Sequence, residues 1–460
     1  MKSPISPPSS SVRRKTKAKT RIITSPRRET CGTSDPNATD WIIQVNESLE
    51  GMSSDEQQYW KKWSIYKVPS YVADLNPKAY QPQVVSFGPY HHGKEHLRPM
   101  EDHKRRVLFQ FLRRSGKLLQ HYIESLRKVA GDLEASYDAL DPKWKEGSVD
   151  GAADQFLELM ITDGYFMLQI LRYATGKVKG EYEDNDPIFS KHGDLYVHPV
   201  IRRDMLLLEN QLPMLVLDWL VAICYGVQKD ESINSLILNF CSRSVDSVSK
   251  EKCLHVLDVF RKNMLKEPEK KDKAESQVSE EIIRSATELR EHGIYLKKSD
   301  TNSLKNISFD SGVLRLPGIV VDEDTESMFL NLIAFERFHV GAGSEVTSYI
   351  FFMDDVIDKG QDVALLHTRG IIDNAMESDE AAAKLFNSLA MGVVLDPDSS
   401  LHDVINKVRE YCRKRRHKWR ANFIHTYFRN PWVILSLIAG VLLFGLTMVQ
   451  TVYTVLGYNK

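Results

Sequence analysis

The feature that most constrains this chain is its last hydrophobic stretch, 432–456 (WVILSLIAGVLLFGLTMVQTVYTVL), which carries no charged residue. At about 1.5 Å per helical residue it would extend roughly 37 Å, longer than a hydrocarbon core of about 30 Å. A helix buried in a globular core normally keeps a polar stripe, and this stretch has none. Its fourteen Leu, Ile, Val and Phe residues favour insertion by several kcal/mol. A basic collar, Arg413-Lys414-Arg415-Arg416-His417-Lys418-Trp419-Arg420 with Arg429, lies on the N-terminal side. Positive charge of this kind stays in the cytoplasm. The stretch therefore predicts a single-pass anchor in lipid with the body of the chain in the cytosol, without distinguishing plasma membrane from endomembrane. Trp432 and Tyr453 suit the two interfaces. Ser436 and Gly440 form one small-xxx-small step, which permits a homodimer. Only four residues follow Leu456, so insertion is expected after synthesis ends.

Composition elsewhere is that of an ordinary globular protein. A hydrophobic fraction of 42% and a charged fraction of 27% leave nothing beyond the tail that looks membranous. A net charge of −1 argues against a general nucleic-acid binder. The five cysteines form no C-x-x-C pair and no regular framework, which suits free thiols in a reducing compartment. Asn37, Asn46 and Asn306 head glycosylation sequons, expected to stay bare in a cytosolic body.

Residues 1–40 mix Ser, Pro and basic residues without an apolar period and predict a disordered basic arm. Its Arg13–Lys19 run would serve equally as a targeting address or a solvated tail. From 41 to 265 the pattern is helical. One helix is expected over 100–126 and a second, apolar around most of its circumference, over 152–175. A third, over 201–226, is divided by Pro213. Although Leu212–Val227 is apolar, it is short and contains Asp218, so it reads as a core helix. The charged stretch 266–281 (KEPEKKDKAESQVSEE) reads as a linker. A second helical part, 282–428, adds short strands at 307–309, 313–316 and 319–321. Its helices are expected near 325–339, 345–357, 361–375, 379–391 and 400–428. The fold class is thus mainly α: a helical cytosolic body with a few short strands and one C-terminal transmembrane helix.

Several short motifs stand out in order: Ile65-Tyr66-Lys67-Val68-Pro69, Ala79-Tyr80-x-Pro82, Val85-Ser86-Phe87-Gly88-Pro89-Tyr90-His91-His92-Gly93, Met100-Glu101-x-His103-Lys104, Asp163-Gly164-x-Phe166, and Asp204-x-Leu206-Leu207-Leu208-Glu209-Asn210-Gln211-Leu212-Pro213. With these and the hydrophobic tail, the chain resembles the plant family known as domain of unknown function 247 from about residue 60 to its end. The resemblance implies a plant membrane protein of unassigned biochemistry, in a family with some grass members implicated in self-incompatibility recognition. Ser64 and Tyr165 stand where the pattern commonly has cysteines, so it carries no thiol role to those points.

Three constellations have the residue types that chemistry needs. His91, His92, Glu95, His96 and His103 offer imidazole and carboxylate, both good zinc ligands. Gly93 and Pro99, however, discourage the helix that would put His92 and His96 on one face, so the bland reading is a rigid loop. Asp354-Asp355-x-x-Asp358 has the spacing of a magnesium–diphosphate motif on one helical face, without a second acidic motif beside it. Asp163, Asp204, Glu209, Asn210 and Gln211 interrupt strongly apolar helices, and buried acids need partners. Arg172, Arg202 and Arg203 are the expected ones. A structural polar network is the favoured reading of this group, and a general acid/base pair the alternative. The sequence contains no P-loop, no G-x-G-x-x-G and no G-x-S-x-G. No cofactor is expected. The function expected is a protein-interaction or signalling module with an unidentified protein partner; the runner-up is a metal-assisted enzyme using the histidine-rich loop or the buried acids.

Overall fold

The computed structural model describes residues 63–145, 151–178, 180–225, 232–242, 251–266, 283–393, 401–414 and 431–458, with the isolated positions 396, 399 and 419. The basic arm 1–40, the expected start of order at 41 and nearly all of the linker 266–281 lie outside these residues. The described chain is mainly helical with a few short strands. Helix α1 (Arg98–Ser115) starts slightly ahead of the expected Met100, because Pro99 suits a first turn whose N–H has no helical acceptor. Its buried positions Met100, Lys104, Val107, Leu108 and Phe111 recur every three or four residues. The expected continuation to Leu126 is interrupted. Gly116 takes φ 65° and caps α1, and α2 (Leu119–Leu126) comes next as a separate helix. Leu118, between the two helices, is exposed.

Helix α3 (Ala152–Ala174) is the axis of the N-terminal helical part, with every residue from Leu159 through Leu171 buried. Helices α4 (His198–Met205) and α5 (Met214–Tyr225) are separated by a non-helical stretch that ends at Pro213, as the proline requires. Helices α1, α2, α5 and α6 (Ile233–Cys241) all pack on α3. A Cβ at Gly164 would lie 2.7 Å from Leu220 Cδ1 and 2.8 Å from Val216 Cγ1, so α5 reaches α3 closely because position 164 is glycine. Val216, Leu217 and Leu220 are fully buried, which makes α5 a core helix.

Helix α7 (Val256–Met264) precedes the linker, and α8 (Ala286–Glu291) comes after it. A three-stranded sheet has the order β1-β3-β2, where β1 (Tyr295–Lys298) runs parallel and β2 (Ser308–Asp310) antiparallel to β3 (Val313–Leu316). A separate parallel pair joins β4 (Ile319–Val321) to β5 (Ile372–Asn374). Strand β1 was not expected from the sequence, because only Leu296 of its four residues is buried and no alternation is visible. Strand β5 replaces the end of the helix expected over 361–375. Gly370, at φ 67°, stops the helix that begins at Gly360, and the β-branched Ile371-Ile372 then pairs beside β4.

After β4 come the helices α9 (Thr325–Phe338), α10 (Glu345–Val356), α11 (Gly360–Thr368), α12 (Asp379–Leu389), α13 (Leu401–Arg413) and α14 (Pro431–Tyr458). Residues 57–460 form one compact unit, and elements from both sides of 266–281 meet within it. Helix α9 packs on the turn Pro77–Tyr80, and Arg261 of α7 pairs with Glu336 of α9 at 2.6 Å. Among the described residues no helix is long and apolar enough to cross a membrane. The span expected over 432–456 is therefore not shown, and the described side chains of Ile438, Val441, Phe444, Leu446 and Tyr453 are exposed.

One buried histidine ties three parts of this unit together. His255 is the N-cap of α7, with Nδ1 accepting from Asp258 N (3.3 Å), while its Nε2 lies 2.9 Å from Ser64 O. The ring also meets Phe335 of α9 edge-on at 5.0 Å. Burial holds the imidazole neutral and pushes its pKa down to about 4 from 6.5. Unfolding exposes a ring that protonates more readily, so the stabilisation is complete above about 6.5 and is lost as pH falls toward 4. We expect the wild type to lose about 3 kcal/mol more than His255→Gln across that window, measured by chemical denaturation at stepped pH; parallel profiles would refute it.

Candidate functional site

Residues 83–88 run from the exposed Gln83 into the buried stretch 85–88 and form neither helix nor strand, so their main-chain groups need partners other than a neighbouring strand. Side chains supply them. Asp204, at the end of α4, accepts from Gln83 N (2.9 Å), Val84 N (2.8 Å) and Val85 N (3.0 Å). Asn210 accepts from Phe87 N (2.7 Å) and donates to Val85 O (3.0 Å). Asp163, in the middle of α3, accepts from Gly88 N at 2.8 Å. Lys104 of α1 donates to Ser86 O. Gly88 has φ 77°, and a Cβ there would stand 2.8 Å from both Gln211 O and the Tyr137 hydroxyl.

The same side chains hold one another. Lys104, fully buried, pairs with Asp163 (2.7 Å) and Glu101 (2.7 Å) and sits over the Phe87 ring. Arg203 pairs with Asp204 at 3.0 Å, as expected, whereas the cation for Asp163 is a lysine rather than an arginine. Glu209 accepts from Val68 N at 2.7 Å. Gln211 donates to Met205 O and Leu207 O (both 2.7 Å) and accepts from Leu257 N (3.1 Å). Burial outweighs Lys104 at Asp163 and pushes its carboxyl up to about 6. Burial likewise raises Asp204, against the backbone N–H groups that favour its charged form.

The histidines are dispersed. His91 is buried, and its Nε2 lies 3.2 Å from Glu209 Oε2 but out of line for a hydrogen bond. His92 meets the Trp144 ring edge-on at 5.6 Å and lies 4.0 Å from Glu101. His96 Nε2 contacts Pro82 O at 3.1 Å. His103 is half-buried, and burial and then Arg106 lower its pKa. Among the described residues no group of three or more His, Cys, Asp or Glu could hold a metal ion. The acidic triplet is separated too. Helix α10 ends at Val356, which takes Asp358 off the helical face, and Asp355 accepts from Ile283 N at 3.2 Å. These acids border a cleft of about 680 Å³ that also contains Arg409 and Cys412. A second cleft, of about 420 Å³, lies between α4, α7 and β4. Neither includes His91, His92, His103, Asp163, Asp204 or Glu209. At the terminal helix, Ser436 and Tyr453 are exposed and a Cβ at Gly440 would touch nothing, while the Trp432 side chain lies outside the described residues.

Lys104 was the member that sequence reasoning missed. Its signal was position: it occupies the apolar repeat 100-104-107-108-111 of α1, where a charge must find a buried partner. Asn331, which accepts from Leu208 N and donates to Ala79 O (both 2.8 Å), gave no comparable signal.

The chain matches the family DUF247, described as plant protein of unknown function, over residues 65–446. It is 33% identical to the UPF0481 protein At3g47200 of Arabidopsis thaliana over 86% of this chain and 86% of that protein. It is 22% identical to the putative UPF0481 protein At3g02645 of the same plant, over 90% of this chain and 94% of the relative. No solved structure matches it.

Breaking the central ion pair leaves an uncompensated buried charge. Lys104→Met should therefore cost about 3–5 kcal/mol, and adding Asp163→Asn should recover part of that loss. Urea unfolding of the single and double variants checks this; additive losses would show that the two groups do not act as a pair. Gly88→Ala combines left-handed strain with a clash against backbone and should cost roughly 2 kcal/mol or more.

Proposed function

The chain belongs to the DUF247 family of plant proteins of unknown function, and we propose that it is a membrane-tethered interaction module rather than an enzyme. The observation that carries this reading is the engagement of its motif side chains. Asp163, Asp204 and Asn210 are occupied by the backbone of 83–88. A carboxylate surrounded by backbone N–H groups fixes a shape; a general acid or base needs hydrogen-bond access to a substrate proton. This network fixes the loop immediately after it, where Tyr90 is half-buried against Tyr137 and His92 against Trp144. The metal-assisted alternative has weaker support, since His91, His92 and His103 face different neighbours.

The tether in this reading is the charge-free stretch 432–456, preceded by the basic collar. It is supported by the continuity of α14 through 431–458 and by the exposure of its described apolar side chains, which is costly in water and favourable in lipid. The collar argues for a cytosolic body. Bilayer lipid and an unidentified protein are then the two partners.

The full chain should stay in the vesicle pellet after alkaline carbonate extraction, and a chain ending before Trp432 should move to the supernatant. Asn306 should carry no glycan. Full extraction, or sugar at Asn306, would overturn the tether or its orientation. Proximity labelling that returns no reproducible neighbour for the full chain would overturn the interaction reading.

A further inference from the structure

We propose that the 420 Å³ cleft between α4, α7 and β4 binds an extended peptide segment bearing a carboxylate beside an apolar side chain. This rests on the reading of the chain as an interaction module and gives it a location and a chemistry. A volume of this size is in the range of about 300–1,000 Å³ typical of ligand sites.

The first element is an open strand edge. In the two-stranded sheet, Ile319 N donates to Ile371 O (2.9 Å) and Val321 O accepts from Ala375 N (2.8 Å). Strand groups alternate in direction along the chain, so the N–H and C=O of Val320 face the edge away from β5. Val320 lines the cleft, and no strand among the described residues covers that edge. Main-chain pairing at such an edge is how extended peptides are captured.

The second element is the wall, formed by Leu206, Phe260, Met264 and Met328. Methionine side chains adapt to irregular partners and suit an apolar peptide side chain. The third is a cation. Arg202 lines the cleft half-buried and makes no hydrogen bond or ion pair among the described residues. Its neighbour Arg203, by contrast, is held by Lys78 O, Gln81 O and Asp204. The rim acids are already turned to other groups: Asp322 accepts from the Thr325 hydroxyl at 2.8 Å, and Asp324 lies 4.0 Å from Arg203 Nε. A guanidinium with unused donors beside an apolar wall fits a carboxylate.

The test is a selection of random heptapeptides against the full chain in detergent micelles, with fluorescence anisotropy on the enriched sequences. The expected result is a set that places an acidic residue next to an apolar one. Val320→Pro, which deletes the edge N–H, should weaken such a peptide at least tenfold. Arg202→Gln should weaken it at least tenfold but change binding of the matching Asn- or Gln-bearing peptide less than twofold. If Val320→Pro lowers the melting temperature, Met328→Trp, which fills the cleft, replaces it. Failure to enrich any set, or peptides whose binding ignores these variants, overturns the site. A proximity-labelling pattern unchanged by Arg202→Gln would overturn it too, while leaving the wider interaction reading intact.

Discussion

The structure depends on satisfying a stretch of main chain that is buried without a sheet. A backbone N–H removed from water and left unpaired costs about as much as a lost hydrogen bond, and 83–88 presents several in succession. Helices cannot supply acceptors from their own main chain, whose carbonyls are already engaged. The acceptors come instead from side chains: Asp163 and Asp204 on helices, and Asn210 on the non-helical stretch between α4 and α5. Each of those residues must itself be buried to reach the loop. Their charges then require partners, and Lys104 and Arg203 meet that requirement. The packing of α1, α3 and α4 around the loop is thus set by polar geometry as much as by apolar burial.

This explains which parts were legible in the sequence. Helix α1 was readable because its burial repeats every three to four residues, and α3 and α5 because their apolar runs are long and nearly continuous. Acids inside apolar helices were readable as buried groups in need of partners. The identity of those partners was not, because Asp163 and Lys104 are 59 positions apart, and Asp204 reaches Val84 across 120. Local pattern carries no information about such distances. Strands β1 and β5 were missed for a related reason. With four and three residues respectively, they are defined by their neighbours β3 and β4 rather than by alternation of their own. The break at Gly116 was missed because the apolar residues beyond it continue a helical spacing, and only the positive φ reveals the stop.

The motifs that mark the family are, in this protein, hydrogen-bond partners of one another. The loop motif 85–93, the Met100–Lys104 motif, the Asp163-Gly164 pair and the 204–213 motif all converge on 83–88. Gly164 has the complementary role of removing a side chain where α5 must approach α3. Residues that define a fold in this way are poor places to look for specificity, because any change in them disturbs the frame. Variable recognition is better placed on surfaces that the frame supports but does not use. The cleft at β4 is such a surface: Arg203 belongs to the frame through Asp204, and Arg202, one residue earlier, does not.

A buried ion pair is weak evidence for added stability, since desolvation offsets most of its Coulomb attraction. An apolar pair of similar volume in place of Lys104 and Asp163 would avoid that desolvation, but it would leave Gly88 N and Ser86 O without partners. The pair therefore cannot be judged as an isolated interaction. Its carboxylate serves a backbone N–H and its ammonium serves a backbone carbonyl, so the two charges connect the middle of α3 and the first half of α1 to the same few atoms of loop. Replacing both with apolar side chains would leave the loop unheld, and removing one charge strands the other in a buried site. The arrangement holds as a block, which is the physical reason the polar residues of these motifs read as a set rather than as separate signals.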